Sequence, residues 1–434
     1  MLPAPAQSTQ TTRFQEKREA LLDAAARHFN AQGVRGATLG EIAGGVGLVT
    51  TSLTYYYRKK EDLATACFLR AIVAHEALAL QAAADVPADA PDAVAQRVQR
   101  FLALHARMLA EIDGGARPAL IVFSDIRALP EAQAAEVFGA YTDMFRRVRA
   151  LLDGPQTAAL GRDDLNARAH LLLSAAHWQR AWLPRHASED HPRLAQRHAQ
   201  LLLHGLAAAG SVWPTEAELA PLGLDAVAAA APHSTDLLLG EHQAGDPTAD
   251  AFLRAATELV NEQGYRGASV DRISARLHVT KGSFYHHNET KLDLISACFD
   301  RSFAVLRQVL RAATQAGGPV WQRTCAASVA LVRFQLGAQG PLLRNSATSA
   351  LPDEPQREHV RRQFQQLTGQ LASLLVDGME DGSLRPHDPA IAAQLLTSAI
   401  NAAAEVQRWV PGIHPGNATA LYTRPALLGL LCPA

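Results

Sequence analysis

The chain contains an internal repeat. Residues 30–38, with the sequence NAQGVRGAT, match residues 261–269, NEQGYRGAS, so that Gly33 pairs with Gly264 at an offset of 231 positions. Keeping this offset without a gap gives 18 identities over the 49 positions from Leu22 to Arg70. Chance likeness between alanine-rich helices does not produce matched Asn, Gln, Gly, Arg, Lys and Cys residues in one register. The repeat therefore requires two copies of one structural unit.

The composition favours helices. Hydrophobic residues make up 48% of the 434 positions and aromatic residues only 6%. Much of the apolar content is Ala and Leu, which are strong helix formers and poor markers of strands. The four cysteines are too few for a disulfide framework, and no CxxC or His-x-x-x-His spacing accompanies them. We predict an all-α fold without a metal or a cofactor.

The sequence does not predict export or a membrane span. The first twelve residues have no charged side chain and no apolar core of signal-peptide length. Apolar runs such as 227–231 and 402–404 are too short to cross a bilayer. We expect a cytoplasmic protein that does not bind a membrane.

Each copy encodes three short helices. An apolar stripe at helical spacing marks the first of them: Leu22, Ala25 and Phe29 in copy 1, and Leu253, Ala256 and Val260 in copy 2. Gly33 and Gly264 follow, where a glycine would end that helix.

Thr38 and Glu41 form a capping-box pattern for the second helix, and Ser269 takes the cap position in copy 2. A short turn then leads to the third helix. Two short helices joined in this way form a helix-turn-helix, whose second helix lies in the major groove of DNA.

The third helix of copy 2 carries a recognisable motif. The string VTKGSFYHH at 279–287, followed by Lys291 and Leu294, resembles the recognition-helix signature of the TetR (tetracycline-repressor-like) family, V-S-K-G-[ST]-[LF]-Y-Y-H-F and then K-x-x-L. Residues 48–57, LVTTSLTYYY, are similar to a more divergent version. The resemblance implies, for each copy, a DNA-binding domain of three helices followed by a helical domain for ligand binding and dimerisation.

The resemblance also indicates which residues contact double-stranded DNA. Hydroxyl, amine and imidazole donors on such a helix suit phosphate oxygens and base edges. From copy 2 we predict contacts by Thr280, Lys281, Gly282, Ser283, Tyr285, His286, His287 and Lys291. From copy 1 we predict contacts by Thr50, Thr51, Ser52, Thr54, Tyr55, Tyr56 and Lys60. Phe284 is interpreted as a core residue. His286 and His287 do not form a metal site, because adjacent residues of a helix do not face one point.

The overall charge gives no sign of a nucleic-acid binder. The chain has a net charge of −1 and a pI near 7. Residues 13–62 carry eight Lys and Arg against six Asp and Glu, and residues 248–294 carry six against six. We therefore expect a modest number of phosphate contacts and a weaker salt dependence than a strongly basic domain would show.

The repeat and its resemblance divide the chain into five segments. Residues 213–246 contain three prolines and an alanine run without a sustained period, which is typical of a linker. The predicted domains are a divergent helix-turn-helix domain at 13–65, a helical regulatory domain at 66–212, the linker at 213–246, a second helix-turn-helix domain at 247–296 and a second helical regulatory domain at 297–434.

The two copies are not equivalent. Copy 1 has threonines where copy 2 has Lys281 and Gly282, its Val49 cannot cap the third helix, and YYY at 55–57 replaces HHN. The helix-turn-helix domain of each copy is called its head. The head of copy 1 reads a different half-site, binds mainly the DNA backbone or is degenerate, and the sequence leaves these three interpretations open.

TetR-like proteins act as two-fold dimers, which suggests that the fused chain imitates one. Its half-sites would then lie about 34–36 Å apart. A flexible linker of 34 residues spans about 29–35 Å, so a swapped dimer of two chains is also allowed. We favour the intramolecular pseudo-dimer over a homodimer.

The sequence after each head predicts a sensing domain. Long helices are expected at 164–183 and 192–209, and in copy 2 at 389–410 with a shorter piece near 419–431. By resemblance these pairs form a four-helix interface between the halves. Aromatic and histidine side chains elsewhere suggest a small-molecule pocket, although core packing is the alternative for each of them. The proposed pocket residues are Phe101, His105, Phe123, Tyr141, Trp178 and Phe334.

These features predict a ligand-responsive transcription regulator. The favoured form is a repressor that leaves a pseudo-palindromic operator when an unknown small-molecule effector shifts the population of head arrangements. The alternative is a helical partner-binding or scaffold protein with one or both heads degenerate. An enzyme is not expected, because no nucleophile–base pair or Gly-rich phosphate loop is present. Cys67 and Cys298 are interpreted as small buried hydrophobic residues.

Overall fold

The computed structural model describes residues 7–222, 247–277, 290–351 and 354–433. Within these ranges the chain forms helices and turns, and the only β-type pairing there is an isolated antiparallel bridge between Ala207 and Leu384. The all-α prediction is confirmed for this part of the chain.

Residues 7–222 contain nine α-helices. They are α1 (Gln7–Gln32), α2 (Leu39–Gly44), α3 (Thr50–Leu53), α4 (Lys60–Ala83), α5 (Ala93–Asp113), α6 (Glu131–Ala150), α7 (Arg162–Trp182), α8 (His191–His204) and α9 (Glu216–Leu219). A 3₁₀ segment, Phe123–Ala128, precedes α6 and is called junction segment 1 below. Helix α8 ends earlier than the predicted 192–209, because Gly205 follows it with a φ of +65°.

The described part of the second half contains seven α-helices. They are α10 (Pro247–Gly267), α11 (Val270–Arg276), α12 (Lys291–Gln315), α13 (Val320–Leu336), α14 (Glu354–Glu380), α15 (Pro389–Ala402) and α16 (Arg424–Leu428). The 3₁₀ segment Asn345–Ala350 is called junction segment 2. A 3₁₀ stretch, Ala403–Arg408, extends α15 to nearly the predicted end of that helix, and a π-helical turn, Thr419–Thr423, leads into α16.

Local hydrogen bonds define the helix ends in the heads. Thr38 Oγ1 accepts a hydrogen bond from the backbone N–H of Glu41 at 3.2 Å, and the Glu41 carboxylate accepts one from the N–H of Thr38 at 2.9 Å. This is the capping box that the sequence predicts for α2. Ser269 caps α11 through a backbone N–H of its first turn. Gly33 and Gly264 have φ values of +73° and +71°, which favour glycine, and they break the first helix of each head.

The repeat in the sequence is also a repeat of contacts. Arg70 donates hydrogen bonds to the carboxylate of Glu19 at 3.2 Å and to the carbonyl of Ala119 at 2.6 Å. The helical domain that follows each head is called its body. At the matched position, Arg301 donates to the carboxylate of Asp250 at 2.9 Å and to a carbonyl of the second body at 2.7 Å. In both halves one arginine therefore links the first helix of the head to the body.

The two halves pack together through their last helices. Helix α7 contacts α15 and α16, and α8 contacts α15. Arg168 on α7 is only 1% exposed, and it donates hydrogen bonds to the carbonyls of Leu430 at 3.0 Å and Cys432 at 2.9 Å. Trp178 Nε1 donates to Gln394 Oε1 at 2.9 Å. Directed polar bonds of this kind define how the two halves are positioned.

The start of the segment predicted as a linker is packed on the second half. Trp321 Nε1 donates a hydrogen bond to the carbonyl of Val212 at 3.0 Å, and the rings of Trp213 and Trp321 lie 6.0 Å apart. Helix α9 lies on α13, where Arg333 donates to both carboxylate oxygens of Glu216. Residues 213–222, the first part of the predicted linker, are therefore packed within the fold.

Helix α4 is long and apolar enough, by composition alone, to cross a membrane. In this fold it contacts α1, α5 and α6. Its apolar residues Leu63, Phe68 and Ile72 are buried in the core. Packing among helices therefore accounts for the apolar residues on the buried face of α4.

Candidate nucleic-acid interface and internal cavity

Helix α3 and the turn after it present polar groups at the surface of the first head. Thr50, Thr51 and Thr54 are exposed, and Tyr55 is 79% exposed. Leu53 points the other way and is fully buried. Thr54 Oγ1 donates a hydrogen bond to the carbonyl of Thr51 at 2.8 Å. The surface thus offers hydroxyl and phenol groups of the kind that bind phosphate oxygens.

Three aromatic rings support this surface. Phe14, near the start of α1, stacks on Tyr56 with ring centroids 4.8 Å apart, and it meets Tyr55 edge-on at 6.2 Å. The rings of Tyr55 and Tyr56 are 5.6 Å apart and nearly perpendicular. Sequence reasoning missed Phe14, because its partners are far away along the chain.

Lys60 has a structural role within the head. Its Nζ donates hydrogen bonds to the carbonyls of Arg35 at 3.1 Å and Ala37 at 3.0 Å. The DNA contact predicted for Lys60 stays a prediction, since an ammonium group has three donors. Arg58 and Lys59 are the exposed basic residues beside it.

The reading segment of the second head lies outside the described residues. The predicted contacts that fall there are Thr280, Lys281, Gly282, Ser283, Tyr285, His286 and His287. The segment that follows is described. Thr290 Oγ1 accepts a hydrogen bond from the N–H of Asp293 at 3.1 Å, and the Asp293 carboxylate accepts one from the N–H of Thr290 at 2.9 Å. This capping box starts α12, with Lys291 as its first residue.

One asparagine ties each head to its body. Asn30 Nδ2 donates a hydrogen bond to the carbonyl of Leu120, and Asn30 Oδ1 accepts one from the N–H of Val122, both at 2.9 Å. At the matched position, Asn261 makes the same two bonds, 2.9 and 3.1 Å long, with backbone groups of the second body. These bonds connect the end of the first helix with the stretch that leads into each junction segment.

Junction segment 1 lies between the two heads. Asp125 Oδ2 accepts a hydrogen bond from the N–H of Val34 at 2.9 Å. A Cβ atom on Gly33 would lie 2.8 Å from this oxygen, and one on Gly264 would lie 3.4 Å from the other. A single carboxylate thus reaches the first helices of both heads. Burial raises the pKa of Asp125, and the corresponding residue of junction segment 2 is Ala347.

A cavity of about 750 Å³ lies between the two halves. Junction segment 1, α5 and α7 form its wall in the first half, and α14, α15 and the 3₁₀ stretch after α15 form its wall in the second. A volume of this size is usual for small-molecule sites. Among the described residues of the wall, the only carboxylate is that of Glu405.

Three histidines of the first half form a cluster in the cavity wall. The ring of His75 lies 5.4 Å from that of His105 and 5.2 Å from that of His177, and Phe123 contacts the cluster. Burial lowers the pKa of His75 to about 4 and of His105 to about 3, and it lowers the pKa of His177 well below 6.5. All three rings are therefore neutral near pH 7. No group of His, Cys, Asp or Glu in the described ranges has the geometry of a metal site.

The second half contributes charged groups to the same cavity. The Glu405 carboxylate lies 2.6 Å from Arg344 and 3.9 Å from Arg127 of the first half. Although burial opposes it, these arginines hold the pKa of Glu405 below its ordinary value. The Arg408 guanidinium lies 3.8 Å from the centre of the Phe138 ring, in a cation–π contact.

The structure places the predicted pocket residues in two groups. Those that line the cavity are His105, Phe123, Tyr141 and Trp178. Phe101 and Phe334 are fully buried in the core and do not line it, because helix packing buries their large apolar rings. Sequence reasoning missed His75, His177 and Glu405, since single residues on separate helices give no local signal.

The comparisons with known sequences identify both heads. The family model for bacterial regulatory proteins of the tetR family matches residues 21–67 and 252–298. The Transposon Tn10 TetC protein of Escherichia coli is 39% identical over 59 residues, which are 14% of this chain and 30% of that relative. The HTH-type transcriptional repressor DhaR of Mycobacterium sp. (strain GP1) is 27% identical over 140 residues, which are 32% of this chain and 71% of that relative.

Solved structures of related regulators cover less than half of the chain. The TetR family transcriptional regulator PfmR from Thermus thermophilus is 20% identical, covers 41% of this chain and 98% of its own, and has a TM-score of 0.35. AibR in complex with isovaleryl coenzyme A and operator DNA is 17% identical, covers 42% and 98%, and has a TM-score of 0.35. Because the family model matches twice in one register, the chain contains two copies of a DNA-binding domain of the kind found in bacterial regulatory proteins of the tetR family.

Proposed function

We propose that the chain is a ligand-responsive repressor whose two halves form an intramolecular pseudo-dimer on a pseudo-palindromic operator in the cytoplasm. The observation that carries this proposal is the position of junction segment 1. Four of its residues line the cavity, namely Phe123, Ser124, Ile126 and Arg127. The carboxylate of Asp125 in the same segment reaches both heads. A displacement of this part of the cavity wall would therefore also move a group that contacts the heads.

The ligand acts through its preference for one arrangement of the heads. A ligand can shift such an equilibrium only as far as its affinities for the two arrangements differ. If it fits the cavity better when junction segment 1 moves, the contact between Asp125 and Val34 changes with it. Binding of DNA and binding of ligand then weaken each other by the same factor.

The DNA site should have two different halves. The first head presents threonine hydroxyls and the exposed Tyr55, whereas the sequence of the second head has Lys281, Gly282 and Tyr285 at the positions that follow its cap. Different donors at matched positions read different base edges or bind different phosphates. The expected operator is a pseudo-palindrome with its halves about 34–36 Å apart.

Footprinting on the DNA upstream of the gene, combined with the mass of the complex in solution, tests this proposal. We expect one chain per site, with two protected half-sites. Tyr55→Ala should weaken protection of one half-site and Lys281→Ala that of the other. Arg193→Ala on the surface of α8, where Arg193 pairs with Asp190, is the matched control and should leave both protected.

Two results would contradict the proposal. Two chains on one site would replace the pseudo-dimer by a homodimer. Unchanged DNA binding in both head variants would favour the scaffold alternative, in which the heads no longer read DNA. The name of the relative DhaR as a repressor supports repression, and loss of reporter expression when the chain is present is the expected readout.

A further inference from the structure

We propose that the cavity binds one small organic anion, with its acidic group at Arg180 beside the histidine cluster and its apolar body along the aromatic wall. This inference rests on the proposed function in one respect only, because it takes the anion to be the effector. The binding itself involves the chain without DNA and is tested without DNA.

Arg180 is a partly buried positive group in the cavity wall, without a counter-ion among the described residues. It lies on α7 and lines the cavity, and it donates a long hydrogen bond, 3.4 Å, to the carbonyl of Leu120. Within the described ranges no carboxylate lies within ion-pair distance of it, and Asp113 acts on it only from further away. Burial lowers the pKa of Arg180, but a guanidinium stays charged.

An unpaired charge that is largely withdrawn from water is unfavourable, and a bound anion would compensate it. Removing an ion from water is unfavourable unless a partner and hydrogen bonds replace the lost solvation. Among the other charges of the wall, Glu405 pairs with Arg344, Arg361 pairs with Glu354 and Arg408 stacks on Phe138. Arg185 is exposed, so water solvates its charge. A negatively charged group of a ligand therefore gains the most free energy of binding at Arg180.

The histidine cluster adds polar groups without competing charge. His75 Nδ1 donates to the carbonyl of Ala71 at 2.7 Å, and His105 Nδ1 bonds to Gln179 Oε1 at 2.8 Å. His177 Nε2 is buried and has no hydrogen-bond partner within the described residues. A buried polar atom without a partner is costly, and a ligand that supplies the partner binds more tightly. His177 therefore provides a second polar contact close to Arg180.

Aromatic rings continue from this polar end across the boundary between the halves. Phe123 lies 5.3 Å from His177 and 5.0 Å from Tyr141, and Tyr141 lies 5.9 Å from Trp409 of the second half. Such a row suits a flat or aliphatic body. A ligand with one acidic group and an apolar body matches both parts of the cavity at once.

Two fluorescent probes separate the acidic group from the apolar body. 8-Anilinonaphthalene-1-sulfonate carries a sulfonate, and N-phenyl-1-naphthylamine has the same rings without it. We expect Arg180→Gln to weaken binding of the sulfonate probe by about tenfold or more, as loss of a charge-assisted contact does. Binding of the neutral probe should change less than about twofold, which is well under 1 kcal/mol. Arg193→Gln is the matched control and should leave both probes unchanged.

Competition on the unaltered chain keeps the test independent of variant folding. Octanoate and octyl phosphate should displace the sulfonate probe at lower concentrations than 1-octanol, which has the same apolar chain. The more effective acid then identifies a carboxylate or a phosphate head group. Displacement of the probe by 1-octanol at the same concentration as by both acids would overturn the proposal. An equal loss of affinity for both probes in a folded Arg180→Gln variant would overturn it as well.

The outcomes distinguish this inference from the proposed function. If the anion binds with the expected dependence on Arg180 but never releases DNA, the anion site stands and the ligand-responsive mechanism fails. If DNA binds as expected but the cavity does not prefer the anionic probe, the regulator stands and this inference is wrong.

Discussion

Asp125 Oδ2 accepts a hydrogen bond from the backbone N–H of Val34 at 2.9 Å. Asp125 belongs to a 3₁₀ segment whose neighbouring side chains line the cavity, and Val34 follows the glycine that ends the first helix of head 1. One bond therefore joins the cavity wall to a DNA-reading head. The second half has Ala347 at the corresponding place, which has no carboxylate to make the same bond.

Replacing Asp125 by alanine should lower the free energy of unfolding by about 1–3 kcal/mol, because the buried N–H of Val34 loses its acceptor. Asp125→Asn keeps an acceptor oxygen and removes a charge whose burial raises the pKa of Asp125. It should therefore lower the free energy of unfolding by less than Asp125→Ala does. Urea unfolding measures both. Asp143→Ala, at an exposed ion pair on α6, is the control and should stay within about 0.5 kcal/mol. Equal losses for the two Asp125 variants would contradict the hydrogen-bond account.

Stability should fall in mild acid because of the buried histidines. Burial lowers the pKa of His75 to about 4 in the folded chain, against about 6.5 when unfolded. The unfolded state therefore binds more protons between these values. The contribution of His75 is complete above about pH 6.5 and is lost as the pH falls toward about 4, with a slope of up to about 1.4 kcal/mol per pH unit.

His75→Leu, which introduces the residue found at the matched position 306, should flatten this part of the stability profile. Chemical unfolding at about pH 7, 6, 5 and 4.5 gives the slope. His359→Gln, at an exposed histidine of α14, should leave the slope as it is. An unchanged slope in a folded His75→Leu variant would refute the assignment.

Arg168→Met should destabilise the contact between the halves by about 3–5 kcal/mol, the usual effect of removing one partner from a buried charged network. The change leaves the carbonyls of Leu430 and Cys432 without their donors and Asp164 without its ion pair. Differential scanning calorimetry should show a lower Tm or two separated transitions. Arg193→Met on the surface is the matched arginine control, and a single transition at the original temperature would show that Arg168 does not hold the halves together.

Asn30→Ala and Asn261→Ala should each loosen one head, since each removes two hydrogen bonds between head and body. The expected loss of stability is about 1–3 kcal/mol for each variant. In footprints, each variant should lose protection at a different half-site and so serve as the control for the other. Identical footprints for the two would argue against one head per half-site.

Alkylation should distinguish the four thiols. Burial raises the pKa of Cys67 and Cys298 to about 12, and the thiolate is the reactive form. Cys325 is buried as well, and Cys432 is partly exposed. Iodoacetamide at about pH 8 should therefore modify Cys432 alone in the native chain and all four cysteines in urea, as read by mass spectrometry. Modification of Cys67 in the native chain would contradict its interpretation as a packing residue.

Local features made the heads predictable. The capping box of Thr38 and Glu41, the cap at Ser269 and the glycines at 33 and 264 act within a few residues of the chain, so their hydrogen bonds and φ values follow from neighbouring residue types. Because the repeat places such features at matched positions of both copies, the prediction for one head supported the prediction for the other. Lys60 shows the limit, because the turn carbonyls that bind its ammonium group are brought to it only by the folded head.

The cavity could not be predicted in the same way. His75, His105 and His177 lie on three helices, and Glu405 comes from the other half of the chain. No sequence spacing relates such residues, since packing over long separations brings them together. The aromatic residues were ambiguous for the same reason: Phe123 and Tyr141 line the cavity, whereas Phe101 and Phe334, equally apolar, fill the core.

The sequence alone determined that this chain is helical, that it contains one unit twice, and that its two heads differ, because repeats, caps and helical periodicity are properties of neighbouring residues. Tertiary structure alone decided that the halves share one cavity, that Arg180 stands in it without a counter-ion among the described residues, and that Asp125 reaches both heads. These relationships depend on how α7 and α15 pack across the two halves, and the free energy of that packing is spread over residues far apart in the chain.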